Sequence, residues 1–229
     1  MKNHHRIKEI LSTNHFEMLS KESCISEEVI IARGYKTISN KNELAELGFS
    51  SKQQRPGLLI PVWTTDGQNG LNVLRPDNPR VVQNTKKKNP DGTYPSKEIK
   101  YEFPKNSAMR LDCPPTCREM LKDPLIPLWI TEGTKKADSL ASKNQCAIAL
   151  LGVWNFKGRN EFGGTTLLAD FDHIAFENRD VRIVFDSDVM TKSQVRQALD
   201  RLTEHIQRKK AHVSCVYLPN DANGGKKWE

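Results

Sequence analysis

Apolar positions fall into two regimes along the chain. Through residues 1–49 they recur at helical spacing: Ile7, Ile10 and Leu11 share one face, Phe16 and Leu19 continue it, and Val29 and Ile30 resume it. Ser26, followed by Glu28 and an apolar run, marks a helix start and Gly34 a stop, and a short second helix over 41–47 ends at Gly48. From Pro56 the period changes. Residues 57–63 form an unbroken strand-like run, Asp66-Gly67 and Asn69-Gly70 mark a turn, and 71–75 return with alternation, which predicts a hairpin. The stretch 83–96, with Lys86, Lys87 and Lys88 and then Asn89-Pro90-Asp91-Gly92, predicts a polar loop, and 99–103 a third strand. Pro114-Pro115 closes this region.

Beyond it the pattern alternates in type. Strands are expected at 125–131, 146–151, 181–186 and 212–218, separated by helices at 135–143, 165–172 and 193–210. Strands joined through helices of this length imply parallel crossover units with helices on both faces of a sheet. The expected fold class is therefore α/β, a Rossmann-like and mainly parallel central sheet with flanking helices, preceded by a smaller basic α+β lobe. Three units follow: a helical segment at 1–49, the basic lobe at 50–120 and the α/β domain at 121–229. A chain of 229 residues can bury one large core or two modest ones.

Composition narrows the function classes. With 37% hydrophobic and 28% charged residues and a mean hydropathy of -0.63, the chain reads as a soluble globular protein. It lacks the run of ~18–20 apolar residues needed to cross a bilayer, and the N-terminal decapeptide lacks the apolar core of a signal peptide. The expectation is a cytoplasmic protein with no membrane partner. Five cysteines, scattered at 24, 113, 117, 146 and 215, are expected to be reduced thiols. Cys113-Pro-Pro-Thr-Cys117 has no second cysteine or histidine pair nearby and is not read as a zinc site. His4, His5 and His15 read as tail or helix-surface residues, and no Ser-His-Asp or Cys-His arrangement stands out. A net charge of +7 suits a polyanionic partner, although solubility alone would also account for it.

Acid positions carry the candidate chemistry. In open α/β sheets ligands sit at the carboxyl ends of the strands. Glu132 directly follows the apolar strand ending Trp129-Ile-Thr, and Asp186 and Asp188 end the strand that begins at Val181. A lone acid at a strand-to-helix junction is more often a helix cap. Three acids in this order suit Mg²⁺, a hard cation held by carboxylates together with substrate phosphates.

These segments carry a resemblance. Ile130-Thr-Glu-Gly133, Val184-Phe-Asp-Ser-Asp188 and Val216-Tyr-Leu-Pro219 resemble the motifs of the TOPRIM fold shared by DnaG-type primases, topoisomerases and some nucleases. Glu132-Gly-Thr-Lys-Lys-Ala-Asp138 is similar to an uncharacterised TOPRIM-like domain family of plasmid, phage and other mobile-element replication proteins. Upstream, 57–63, Asn72-Val-Leu-Arg75 and Ile99-Lys-Tyr-Glu-Phe-Pro104 resemble the basic half of a DnaG-type primase core. Two positions depart from that pattern. Lys136 stands where those primases have an aspartate, the nearest one here being Asp138, and Ser187 stands where glycine often separates the paired aspartates.

The resemblance implies a Mg²⁺-dependent primase-like nucleotidyltransferase of DNA replication, able to use Mn²⁺, with Glu132, Asp186 and Asp188 as catalytic metal ligands. Its implied partners are single-stranded DNA, nucleoside triphosphates and a replicative helicase. A TOPRIM nuclease and a non-catalytic module of a larger replication protein are the alternatives.

Charge placement adds binding candidates. From Arg75 to Arg110 there are nine basic residues against four acids. Arg75 and Lys100 lie on expected strands, Arg110 ends the stretch, and Tyr101 and Trp63 offer rings for stacking single-stranded bases. The triple lysine at 86–88 is either part of this surface or a solvated loop. Lys135 and Lys136 sit at an expected helix start, where positive charge opposes the macrodipole and an anionic ligand would relieve it.

Overall fold

The computed structural model describes residues 2–85, 88–159, 161–185 and 192–217. The chain opens with α1 (Lys2–Ile10), α2 (Thr13–Glu17) and a π turn at Met18–Glu22, then α3 (Glu27–Arg33). Ser26 caps α3 by accepting a hydrogen bond from the Val29 amide, and Gly34 ends it at φ +81°, a left-handed conformation open to glycine. A strand then interrupts the region expected to be helical: β1 (Lys36–Ile38) pairs antiparallel with β2 (Gly57–Trp63). Between them α4 (Lys41–Glu46) is capped by Asn40. The hairpin of β2 with β3 (Asn69–Pro76) completes a sheet in the order β1-β2-β3. Pro61 is tolerated in the middle strand because β1 reaches only Gly57 to Leu59, so the missing Pro61 amide faces an unpaired edge.

The third strand of this sheet is therefore β1 and not residues 99–103. Instead β4 (Arg80–Gln83) and β5 (Ser96–Ile99) form a separate two-stranded ribbon. Beyond it the backbone bridges to β3 at Glu102 and Leu74. The buried Glu102 carboxylate takes two hydrogen bonds from the Arg80 guanidinium and one from Gln53 Nε2 at 2.9 Å, so this segment is held by polar side chains instead of a ladder. His15, expected on a helix surface, is also buried, its ring nitrogens 2.7 Å from Thr37 Oγ1 on β1 and 2.9 Å from Asp77.

The second half contains β6 (Leu128–Glu132), α5 (Thr134–Ala141), β7 (Cys146–Leu150), β8 (Lys157–Arg159), β9 (Thr165–Leu167), β10 (Asp180–Phe185), α6 (Ser193–Arg208) and β11 (His212–Tyr217). Among the described residues the sheet is four-stranded, all parallel, in the order β11-β10-β6-β7. The helix expected at 165–172 is instead β9 followed by a 3₁₀ turn at Ala169–His173, since Thr165 and Thr166 are β-branched and pair with β8. Ile183, Ile130 and Ile148 stand in register on one face, where α6 packs through Thr203 against Cys215. Ala147 and Ala149 on the other face meet Ala137 of α5.

One continuous core joins the two halves, running from Ile7, Leu19 and Ile30 through Ile60 and Val62 to Ile130 and Ile183. A buried polar knot reinforces the seam. Arg33, fully buried, donates to both oxygens of Asp138 on α5, to Asp112 and, at 3.1 Å, to the edge carbonyl of Pro61. The Tyr35 hydroxyl donates to Asp138 at 2.6 Å. Asp112 exchanges backbone hydrogen bonds of 3.0 and 2.7 Å with Ala149 at the edge of β7, and the next amide, Cys113, bonds to Trp63 on β2 at 2.7 Å. Burial opposes the Arg33 charge, but Asp112 and Asp138 outweigh it and hold the guanidinium above the usual arginine range. Burial pushes the Asp112 carboxyl up to about 6, with Arg33 working against the rise. Its Oδ2 has no hydrogen-bond partner among the described residues. No helix among them is long and apolar enough to cross a membrane.

Candidate nucleic-acid site

From β6 the chain crosses to β7 on one side, while β10 and then β11 extend the sheet on the other. Parallel sheets leave a crevice at the carboxyl ends of their strands at such a switch point. Glu132 is the last residue of β6. Gly133 then turns the chain at φ +91°, its amide bonds to the Leu150 carbonyl at the end of β7, and α5 begins at Thr134. Thr134, Ala137, Asp138 and Ala141 are the buried positions of α5, and Lys135 and Lys136 are half-exposed on its first turn.

The opposite wall comes from the basic lobe. Val73 and Arg75 lie two apart on β3 and so share a face, and Ile60 is paired with Val73 in register. The bridge of Glu102 to Leu74, clamped by Arg80, fixes the segment that carries Lys100, Tyr101 and Phe103 beside them. Between the walls lies a cleft of about 470 Å³. Among the described residues its lining includes Arg75, Lys97, Lys100, Lys135 and Lys136 and one acid, Glu132, with Tyr101 and Phe103 as aromatic surface.

Six of the positions singled out in the sequence thus meet in one crevice: Glu132, Arg75, Lys100, Tyr101, Lys135 and Lys136. Arg110 does not join them. Its guanidinium is held by Asp170 through bonds of 2.7 to 3.1 Å, tying the 3₁₀ turn to the lobe, and that carboxylate raises its pKa. Trp63 is also elsewhere, its indole N–H bonded to the Arg33 carbonyl at 2.9 Å. Lys88 is exposed in its loop, while Lys86 and Lys87, like Asp186 and Asp188, lie outside the described residues; Asp186 follows the last residue of β10 in sequence. Lys97, one of the nine basic residues of 75–110, and Phe103, part of the 99–104 segment, also line the cleft although neither is among the expected binding residues.

The architecture is the fold of primase catalytic cores. The chain is similar to the Aquifex aeolicus primase (zinc-binding and RNA polymerase domains), with a TM-score of 0.56 and 14% identity over 91% of this chain and 50% of that one. It is similar to the DnaG catalytic core, with a TM-score of 0.56 and 15% identity over 93% of this chain and 67% of that one. The DnaG primase catalytic domain bound to ssDNA gives 0.54 and 14%, over 90% and 64%. In sequence, residues 118–226 match the model of a domain of unknown function, DUF3854. An uncharacterized protein of Picosynechococcus sp. is 32% identical over 114 residues, which cover 46% of this chain and 11% of the relative. The matched region is thus a small part of that relative, and the chain as a whole spans half to two thirds of these solved structures.

Proposed function

We propose that the cleft binds nucleotide phosphates and single-stranded DNA, and that the chain carries the TOPRIM-type active site of a primase-like replication protein of phage, plasmid or other mobile-element type. The observation that carries this reading is the convergence of Glu132 with Arg75, Lys100, Tyr101, Lys135 and Lys136 at the switch point of the parallel sheet. The fold shared with DnaG catalytic cores, one of them bound to single-stranded DNA, supports it.

The donor set suits a hard divalent cation. Glu132 offers carboxylate oxygens from a half-buried strand end in an otherwise cationic cleft, and such ions combine one or two carboxylates with substrate phosphates. Glu132, with Asp186 and Asp188, would hold Mg²⁺ or Mn²⁺, and the bound ion would supply charge that offsets the charge of a phosphoryl group in transfer. Lys135, Lys136 and the first amides of α5 grip phosphate oxygens. Arg75 and Lys100 hold the strand backbone, and Tyr101 stacks on a base. In this reading the protein works in the cytoplasm beside a replicative helicase.

The test is incorporation of labelled ribonucleoside triphosphates on single-stranded DNA. Loss of an outer-sphere partner of a metal typically lowers activity ~10–100-fold, so Glu132→Gln and Asp186→Asn are each expected to lower incorporation by ~100-fold or more. Undiminished synthesis by both variants overturns the assignment. A second reading draws on Lys136, which stands at the position of a primase acid, and on Asp138, which is committed to Arg33. Under it the chain is a non-catalytic DNA-binding module, and DNA binding that is salt-dependent, insensitive to EDTA and without turnover would favour it. Nicking of DNA in Mg²⁺ or Mn²⁺ without nucleotides would instead mark a TOPRIM nuclease.

A further inference from the structure

Leu150, Leu151 and Gly152 line the cleft at the end of β7, and the chain then leaves it along a short turn. That turn is fixed by the Asn155 amide bonding to the Gly152 carbonyl and by the Asn155 side chain bonding to the Leu151 carbonyl, each at 2.8 Å. It presents Trp154, whose Cα lies at most about 7 Å beyond that of Gly152. Two cations converge on this indole. Lys157 Nζ stands 3.8 Å from the ring centroid and the Arg201 guanidinium 5.7 Å from it. Neither forms an ion pair with a carboxylate among the described residues. Partial burial and then the Arg201 charge hold the Lys157 ammonium below the usual lysine range. Arg159 is exposed and two residues along β8 from Lys157, hence on the same face of the ribbon. At the tip of that ribbon Phe162 is 88% exposed.

Like charges crowded over one ring repel each other, and an anion placed between them relieves that repulsion. An aromatic surface interleaved with cations that form no ion pairs among the described residues, and next to a cationic cleft, fits a charged backbone carrying flat bases. We propose that Trp154, Lys157, Arg159 and Arg201 form a second subsite for single-stranded nucleic acid, which holds the phosphodiester backbone as the strand leaves the cleft. The proposal rests on the reading of the cleft as a nucleic-acid site. Phe162, on the same ribbon, offers a ring to an unstacked base.

The test compares the full chain with the double variant Lys157→Ala/Arg201→Ala. It uses fluorescence anisotropy with labelled thymidine oligomers of about 4 and about 16 nucleotides, the span of single-strand site sizes. The double variant is expected to bind the long oligomer about tenfold more weakly and the short one as the unaltered chain does. Its slope of log affinity against log salt falls by about 1.4, at about 0.7 for each phosphate of a single strand that is no longer neutralised. Lys157→Gln/Arg201→Gln, which keeps the side-chain bulk, is expected to behave alike and separates the effect of charge from that of packing. Equal affinities and equal salt slopes for the long oligomer overturn the subsite, as does a poly-glutamate competitor as effective as the oligomer itself. Failure of the cleft reading shows differently, as Lys135→Ala/Lys136→Ala leaving binding of the short oligomer unchanged.

Discussion

Helix α5 separates two charged regions of opposite character. At its first turn Lys135 and Lys136 line a cleft together with Glu132, Arg75, Lys97 and Lys100. Less than one turn further on, Asp138 points inward and is consumed by Arg33 and Tyr35 in a site with no exposure. Among the described residues the cleft carries an excess of positive charge, which a ligand can neutralise. The knot holds two carboxylates against one guanidinium, and its energetic demand falls on the protein itself. Residue type therefore says little about role here; the side of the helix decides.

Breaking the knot is expected to give the largest effect. Arg33→Ala leaves two buried carboxylates without their cation, and breaking a buried pair in this way costs about 3–5 kcal/mol, readable as a shifted midpoint in urea unfolding. Replacing Arg33, Asp112 and Asp138 together by Met, Asn and Asn is expected to recover most of that loss, because no buried charge is then left unmatched. Binding of nucleotides in the cleft by the triple variant would show that the knot supports the fold and takes no part in the chemistry.

The pH dependence of the knot follows from Asp112. Its folded pKa of about 6 lies above the ordinary aspartate value of about 3.9, so the folded state binds the extra proton. The associated stability is fully present below about pH 3.9 and is lost as pH rises through 6, a change on the order of 3 kcal/mol for a fully buried group. Thermal unfolding at several pH values measures it. Asp112→Asn is expected to remove this component between pH 4 and 6, and an unaltered profile would show that another group titrates there.

Substitutions in the cleft reverse the pattern, with small effects on folding and clear ones on binding. Lys135→Ala/Lys136→Ala is expected to lower the salt slope of single-stranded DNA binding by about 1.4 and to leave the urea midpoint nearly unchanged. Tyr101→Ala is expected to remove a single stacking interaction, ~1–3 kcal/mol of binding, with little change in the salt slope because the charge is unaltered. A large stability loss in either variant would break the contrast between the two regions.

Much of the parallel sheet was legible in the sequence, as were six of the residues that line the crevice. Long amphipathic or wholly apolar runs around 128–150 and 180–217 determine their own period, and Glu132 directly follows one of them. Short elements were not. β1 is three residues long and gains its pairing from β2, which lies far along the chain, so no local signal distinguishes it from a linker. Residues 165–167 became a strand because β8 was there to pair with them. The knot escaped notice for a similar reason: Arg33, Asp112 and Asp138 are separated by up to 105 positions, and only the packing of α3 against α5 and β2 makes them neighbours. Arg110 belonged to a basic stretch by count, yet its partner Asp170 lies 60 positions away.

The paired backbone bonds of Asp112 with Ala149, followed at once by that of Cys113 with Trp63, join both walls of the cleft through consecutive residues. A seam of this kind makes a poor hinge. Widening the gap would break backbone hydrogen bonds of this seam and expose the ionic cluster beneath them, which favours a nearly constant span. If the cleft holds a nucleic-acid strand as proposed, such a frame favours its entry without closure of the walls.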